Sequence, residues 1–273
     1  MPSFASDKKI IFLGMGGARY TVFNQLMPSG GVLIIYDGLR IVLDPGPDVL
    51  VRLREVGFYP SQIDGVLLSH VHLDHSAGVN PLLEAVIEGG KRKKGFIFAP
   101  VEALVGSSSI LLNYIRESLE VIQPLFPGKE YSIGSFRFTV YPHFHSAETY
   151  GFKFDFPDRK VAFVIDTEYR DDLVEYYSDA SVLILNVVLW EPRPGVRHLS
   201  LEGASMLIEK VKPDLAILTH FGMKFLHGRT REAARIVKER TGVEVLSAYY
   251  GACLDLSGES LRFYKYFPSK RKS

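Results

Sequence analysis

Twelve short apolar runs, rich in β-branched and aromatic residues, recur along this chain, and several of them stop at a histidine or an aspartate. They are KIIFLG, GVLIIYDG, RIVLDPG, GVLLSH, GFIFAP, FRFTVYP, YGFKFDF, KVAFVID, SVLILN, DLAILTH, VEVLSAYY and LRFYKYF. Runs of this length, bounded by Gly, Pro and Asp, read as strands rather than helices. Helical patterns lie between them. In residues 48–56, Val49, Leu50, Leu53 and Val56 share one face, and residues 79–88 and 101–121 are similar. Residues 200–211 start at a serine placed to cap a helix, and 230–240 form the last helical stretch. The first half is rich in consecutive strands, and the second alternates strand and helix more regularly. No repeat, low-complexity tract or Pro/Ser-rich linker divides the sequence. The expectation is a single layered α/β domain over residues 1–273.

Composition narrows the classes of function. The chain is 47% hydrophobic and 23% charged, enough for a sizeable core, and its net charge of +1 gives no global field to hold a polyanion. Nucleic-acid contact would need a local patch. The basic segments are GGKRKKG at 89–95 and the C-terminal stretch 262–273, which ends in SKRKS. These read as a solvated loop and a partly basic tail, with a phosphate contact as the alternative. The single cysteine, Cys253, excludes an intrachain disulfide and a cysteine-cluster zinc site, and suits a reducing compartment. The opening residues lack a signal-peptide pattern, and no apolar run reaches the roughly 18 residues that span a bilayer. A soluble, cytoplasmic protein with no membrane partner is expected.

The histidines carry the chemistry. The stretch SHVHLDHSAG holds three of the chain's eight histidines within six residues. It follows the strand pattern ending at Ser69, so alternation would put His70, His72 and Asp74 on one side of an extended segment. His75 comes next, where the chain turns toward the helix near Val79. Two imidazoles followed by an acid and another imidazole can face two adjacent metal ions. Nitrogen and carboxylate oxygen suit zinc, manganese and iron(II), and neither pair fills a coordination shell alone. Further donors stand where other apolar runs end: His145 after FRFTVYP, Asp166 after KVAFVI and His220 after DLAILT. A strand end is a rigid mount for such a group.

The segment His70-Val71-His72-Leu73-Asp74-His75 resembles the H-x-H-x-D-H motif of the metallo-β-lactamase superfamily. The later motifs follow in the family's order over nearly the whole chain. His145-Ser-Ala-Glu-Thr-Tyr-Gly-Phe152 is similar to the third-histidine motif, Asp166-Thr167 to the bridging aspartate, and Leu218-Thr219-His220-Phe221 to the last histidine. The resemblance implies a four-layer αββα sandwich with two divalent ions at one rim. One ion would be held by His70, His72 and His145, the other by Asp74, His75 and His220, with Asp166 bridging. Zinc is the first expectation, with manganese or iron accepted by the same donors. His143 is expected to line the site or lie at the surface, and His227 to be exposed.

The resemblance also implies a hydrolase. A metal-bridging hydroxide would attack, Asp74 would orient it, and His198 would act as general acid on the leaving group, as a similar histidine does in the family's phosphodiesterases. Arg197 is a candidate phosphate contact or a solvated arginine. The opening Phe12-Leu13-Gly14-Met15-Gly16-Gly17-Ala18-Arg19 resembles that of ribonuclease Z, the cyclic-phosphate phosphodiesterases and the quinone-cofactor biosynthesis proteins. Only twenty residues separate His145 from Asp166, which leaves room for a hairpin but not for a tRNA-gripping arm. The glutamate that ribonuclease Z carries near Leu185–Val188 is absent, and Tyr250-Gly251 replaces its acidic D-G. The reading is a dinuclear phosphodiesterase acting on a small, cyclic or nucleotide phosphodiester. The alternatives are a tRNA 3′-processing endoribonuclease, a lactone hydrolase, or a non-hydrolytic carrier or accessory protein. Substrate selection is expected in 101–121, with Gly106-Ser-Ser-Ser109, and a homodimer is implied by resemblance.

Overall fold

The computed structural model describes residues 7–267. The chain forms two compact units. Among the described residues the first comprises 7–14, 28–124 and 249–267, and the second Met15–Met27 and Leu125–Ala248. Each is built on one mixed sheet.

Strands β1 (Lys8–Phe12), β2 (Val32–Tyr36), β3 (Leu39–Leu43), β4 (Gly65–Leu67), β5 (Phe96–Ala99) and β6 (Val121–Pro124) belong to the first unit. The second holds β7 (Glu130–Ile133), β8 (Phe136–His143), β9 (Thr149–Phe156), β10 (Arg159–Val164), β11 (Val182–Leu189), β12 (Leu199–Ser200), β13 (Leu215–Thr219) and β14 (Val245–Ser247). The chain then returns to the first unit as β15 (Ala252–Asp255) and β16 (Arg262–Lys265). The first sheet runs β16-β15-β1-β2-β3-β4-β5-β6, antiparallel as far as β3 and parallel beyond it. The second runs β14-β13-β11-β10-β9-β8-β7, antiparallel from β7 to β10 and parallel after it, with β12 beside β11. Parallel neighbours need crossovers, and helices supply them. Helix Val49–Glu55 links β3 to β4, and Val79–Val86 lies between β4 and β5. In the second unit Leu201–Val211 follows β11, and Arg229–Thr241 links β13 to β14.

The apolar patterning explains the packing. In the first unit Val49, Leu53, Leu82, Leu83 and Val86 of the crossover helices cover Leu33, Ile35, Val42 and Val66. In the second, Leu207, Ile208, Ala233 and Val237 do the same for Leu183, Leu185, Ala216 and Leu218. The alternation in FRFTVYP and YGFKFDF sorts an aromatic stripe onto one face of the second sheet. Phe136 and Phe154 stack at 5.3 Å, and Phe152 and Phe154 at 5.7 Å. On the other face, Lys153 is held by Asp179 and the Tyr176 carbonyl.

One expectation is corrected, and four strands are added to those read from the sequence. Residues 101–121 are two short helices, Val101–Leu104 and Asn113–Ser118, followed by the start of β6. Gly106 takes a left-handed φ of 82°, and the Arg116 guanidinium binds the Leu104 carbonyl, so the helix cannot run on. Four strands were not visible as apolar runs: β6, β7, β12 and β15. They are two to four residues long, too short for periodicity to register. LRFYKYF forms strand β16 as expected, where Arg262 pairs with Asp255; SKRKS lies outside the described residues. The loop 89–95 matches its expectation, with Lys91–Lys93 exposed. No helix among the described residues is long and apolar enough to cross a membrane.

Phe154 is fully buried in the aromatic stripe. Phe154→Ala is expected to destabilise the protein by about 3–5 kcal/mol, read as a lower urea midpoint; an unchanged midpoint would contradict this packing. Burial pushes the Cys253 thiol up to about 11. At pH 9, where an ordinary thiol is largely ionised, native protein should resist iodoacetamide and react fully once unfolded. Rapid labelling of the native state would count against that burial.

Candidate metal centre

In the first unit the donors sit past the C-terminal ends of two parallel strands. β3 ends before Asp44, and β4 leads into Leu68-Ser69-His70. Asp44 has a left-handed φ of 52°, a conformation that costs on the order of 1–3 kcal/mol for a non-glycine residue. Its carboxylate accepts from the Ser69 amide at 2.7 Å, the Ser69 hydroxyl at 2.7 Å and His75 Nδ1 at 2.9 Å. Because Asp44 takes the Nδ1 proton, Nε2 is the unprotonated nitrogen of His75. The Ser69 hydroxyl, donating to Asp44, accepts in turn from His70 Nδ1 at 2.9 Å. That leaves His70 Nε2 as a base, 3.0 Å from His72 Nδ1. Two imidazole nitrogens on one tetrahedral zinc stand about 3.3 Å apart, so this pair fits a shared cation.

The segment after His70 departs from the expected extended form. The chain bends at Ser69 and Val71, and Asp74 and His75 lie in the helical turn Leu73–Ser76. The His72 carbonyl accepts from the amides of His75 and Ser76, and the Ser76 hydroxyl binds the Val71 carbonyl. Asp74 is therefore displayed by a turn rather than by strand alternation. Its Oδ2 lies 3.9 Å from His75 Nε2. Gly46 and Gly78 let the Asp44-Pro45-Gly46 loop touch this turn, because a β-carbon on Gly46 would meet the Asp74 carbonyl at 2.8 Å.

In the second unit one carboxylate gathers three imidazoles. Asp166, 2% exposed, follows β10; His220 follows β13; His145 is two residues past β8; His198 precedes β12. His220 Nε2 is 3.4 Å from Asp166 Oδ1. His145 Nε2 and His198 Nδ1 are 3.9 and 3.8 Å from Oδ2. The donor atoms of His145, Asp166 and His198 all lie within 4.8 Å of one another. Asn186, on β11, donates to Asp166 Oδ1 at 2.9 Å and fixes the carboxylate. Both Asp166 (φ 28°) and His220 (φ 56°) have left-handed backbones, as strained residues at functional sites often do. The glycine loop after β1 supports one of them. The Gly17 amide binds the Phe221 carbonyl, and a β-carbon on Gly17 would lie 2.2 Å from the His220 carbonyl oxygen.

Other residues take specific places. His145 Nδ1 donates to the Arg197 carbonyl at 3.1 Å, which directs its Nε2 at Asp166. Arg197 returns a bond to the His145 carbonyl at 2.8 Å and lies over the Phe144 ring, so it braces His145. His143 neither lines the site nor lies at the surface, as had been expected. β8 ends at His143, which turns inward to the Ile165 carbonyl and, at 2.7 Å, to the Tyr177 hydroxyl. Burial pushes it down to about 4, against the opposing pull of the Ile165 bond and Asp166. His227 is exposed. The sequence reading missed Asp44 and Asn186. Asp44 carried a signal, since RIVLDPG stops at an aspartate as KVAFVIDT does; Asn186 sits inside an apolar strand and carried none.

Known proteins resemble this chain in sequence and in fold. The family described as the β-lactamase superfamily domain matches residues 39–221, so the chain belongs to the β-lactamase superfamily. It is 28% identical to a ribonuclease Z of Methanopyrus kandleri, over 85% of this chain and 94% of that protein. The solved metallo-β-lactamase-fold protein YhfI of Bacillus subtilis aligns with a TM-score of 0.76 at 20% identity, over 91% of this chain and 99% of that one. A diphosphatase of the PhnP family aligns at a TM-score of 0.66 and 20% identity, covering 91% and 97%. These likenesses give the expected metallo-β-lactamase fold and support the ribonuclease Z-like branch.

The Asp44 carboxylate orients His75 directly and His70 through Ser69. Asp44→Ala is expected to weaken zinc binding by about 10–100-fold, measured by competition with a chromophoric chelator. Affinity equal to that of the unsubstituted protein would rule out this orienting role.

Proposed function

We propose that this chain is a dinuclear metal-dependent phosphodiesterase acting on a small, cyclic or nucleotide phosphodiester. The observation that carries the reading is the Asp166 carboxylate, whose two oxygens face His220 on one side and His145 and His198 on the other. A carboxylate so placed suits a bridge between two cations. In this reading His70, His72 and His145 hold one ion, Asp74, His75 and His220 the other, and Asp166 both. The assignment follows the order of the superfamily's motifs. Zinc is the first choice, and the same donors accept manganese or iron.

Bound divalent ions would supply Lewis acidity and a nucleophilic hydroxide near neutral pH. The protein's own groups do the rest. Asp74 accepts a hydrogen bond from the attacking water and aims it at phosphorus. Asn186 keeps Asp166 from swinging, and Arg197 keeps His145 in register. His198, whose ring centre lies 4.9 Å from that of His145, delivers a proton to the leaving alkoxide. The relative named ribonuclease Z and the PhnP-family diphosphatase favour a phosphate-ester substrate over a thioester or a lactone. Against tRNA processing, β9 and β10 are joined by Pro157 and Asp158 alone. The buried, reduced Cys253 suits a cytoplasmic protein, and a homodimer rests on resemblance alone.

The test is turnover of bis(p-nitrophenyl) phosphate by protein reloaded with zinc or manganese, beside Asp166→Ala. Metal-dependent hydrolysis that falls at least a hundredfold in the variant is expected. A fully loaded protein that leaves this diester intact would contradict the phosphodiesterase reading.

A further inference from the structure

A cavity of about 310 Å³ in the second unit opens beside His198. That volume is at the lower end of the roughly 300–1,000 Å³ of small-molecule sites. It is lined by the turn Pro192-Arg193-Pro194-Gly195, in which two prolines fix φ, and by the first turns of helix Leu201–Val211. One wall is Tyr169. Its hydroxyl donates to Asp171 at 2.8 Å, and the Lys210 ammonium stands 5.4 Å from its ring centre. Gly203 lets the helix close on that wall, because a β-carbon there would lie 3.2 Å from Tyr169 Cβ. Met206 completes an apolar surface, and Glu168 and Glu202 face it with two carboxylates against the single guanidinium of Arg193.

We infer that this cavity receives the group bonded to the leaving oxygen, and that it selects an uncharged nucleoside over a group bearing a second phosphate. The inference rests on the phosphodiesterase reading for its placement, since His198 lines the cavity and is the proposed donor to that oxygen. The lining chemistry sets the class. A base has flat apolar faces for Tyr169 and Met206. Ribose hydroxyls and exocyclic amines are donors, and ionised carboxylates only accept. A second phosphate beside Glu168 and Glu202 would meet like charge. The site expected to govern selection is therefore here, rather than in residues 101–121.

Adenosine titrated calorimetrically into the metal-loaded full chain tests it. Saturable binding is expected, at least tenfold weaker in Glu168→Gln/Glu202→Gln. Met206→Trp, on an exposed helix position, should fill the cavity and weaken adenosine equally, so the test survives a double variant that fails to fold. With substrates, 2′,3′-cyclic AMP should exceed ADP in kcat/KM at least tenfold, and the double variant should narrow that ratio. Absent binding, or equal affinity in the unsubstituted protein and Met206→Trp, would overturn the inference. The two failures are distinguishable. Hydrolysis of bis(p-nitrophenyl) phosphate without adenosine binding sinks the cavity alone, and adenosine binding without that hydrolysis sinks the phosphodiesterase reading and, with it, the leaving-group role of a cavity that still binds a nucleoside.

Discussion

The buried Asp166 carboxylate is the constraint around which the second unit is organised. An ionised carboxylate that is 2% exposed is costly unless charge or hydrogen bonds compensate it. Asn186 supplies one bond, and three imidazoles stand within 3.4–3.9 Å. Two of the residues in this group, Asp166 and His220, have left-handed backbones that only a well-determined surrounding structure holds. β10, β11 and β13 are parallel neighbours, so the ends of β10 and β13 deliver Asp166 and His220 from the same edge. Open α/β sheets bind their ligands at that carboxyl edge.

The first unit answers with a different device. Asp44 works through one carboxylate as a hub for Ser69 and His75, and through Ser69 it reaches His70. Each imidazole thereby has its Nδ1 committed and its Nε2 presented as a base. A ligand set needs that tautomeric control before any ion arrives. Asp44 and Asn186 sit immediately past a strand or on one, so much of the orientation comes from the sheets, while Arg197 braces His145 from the loop before β12.

The sequence disclosed the donors better than their supports. His70, His72, Asp166 and His220 stand where apolar runs end, and a run that stops at a polar residue is visible without a structure. Asp74 is displayed by a helical turn rather than by the expected strand alternation, because a four-residue turn is shorter than any periodicity can report. His143 and His145 looked equivalent by strand alternation. They diverge because β8 stops at His143, where the Tyr177 hydroxyl and the Ile165 carbonyl draw the ring inward. That contact joins residues 34 apart in sequence, which no local pattern encodes. Asn186 was hidden for the same reason: it reads as one polar residue in a buried strand, and its partner Asp166 lies just past the end of the neighbouring strand β10.

The claim that everything else depends on is that these two sets of donors hold two ions. The most direct measurement is a calorimetric titration of zinc into demetallated protein. Two equivalents per chain, with the second lost in Asp166→Ala, is the predicted result. A stoichiometry of one or none in the unsubstituted protein would contradict it.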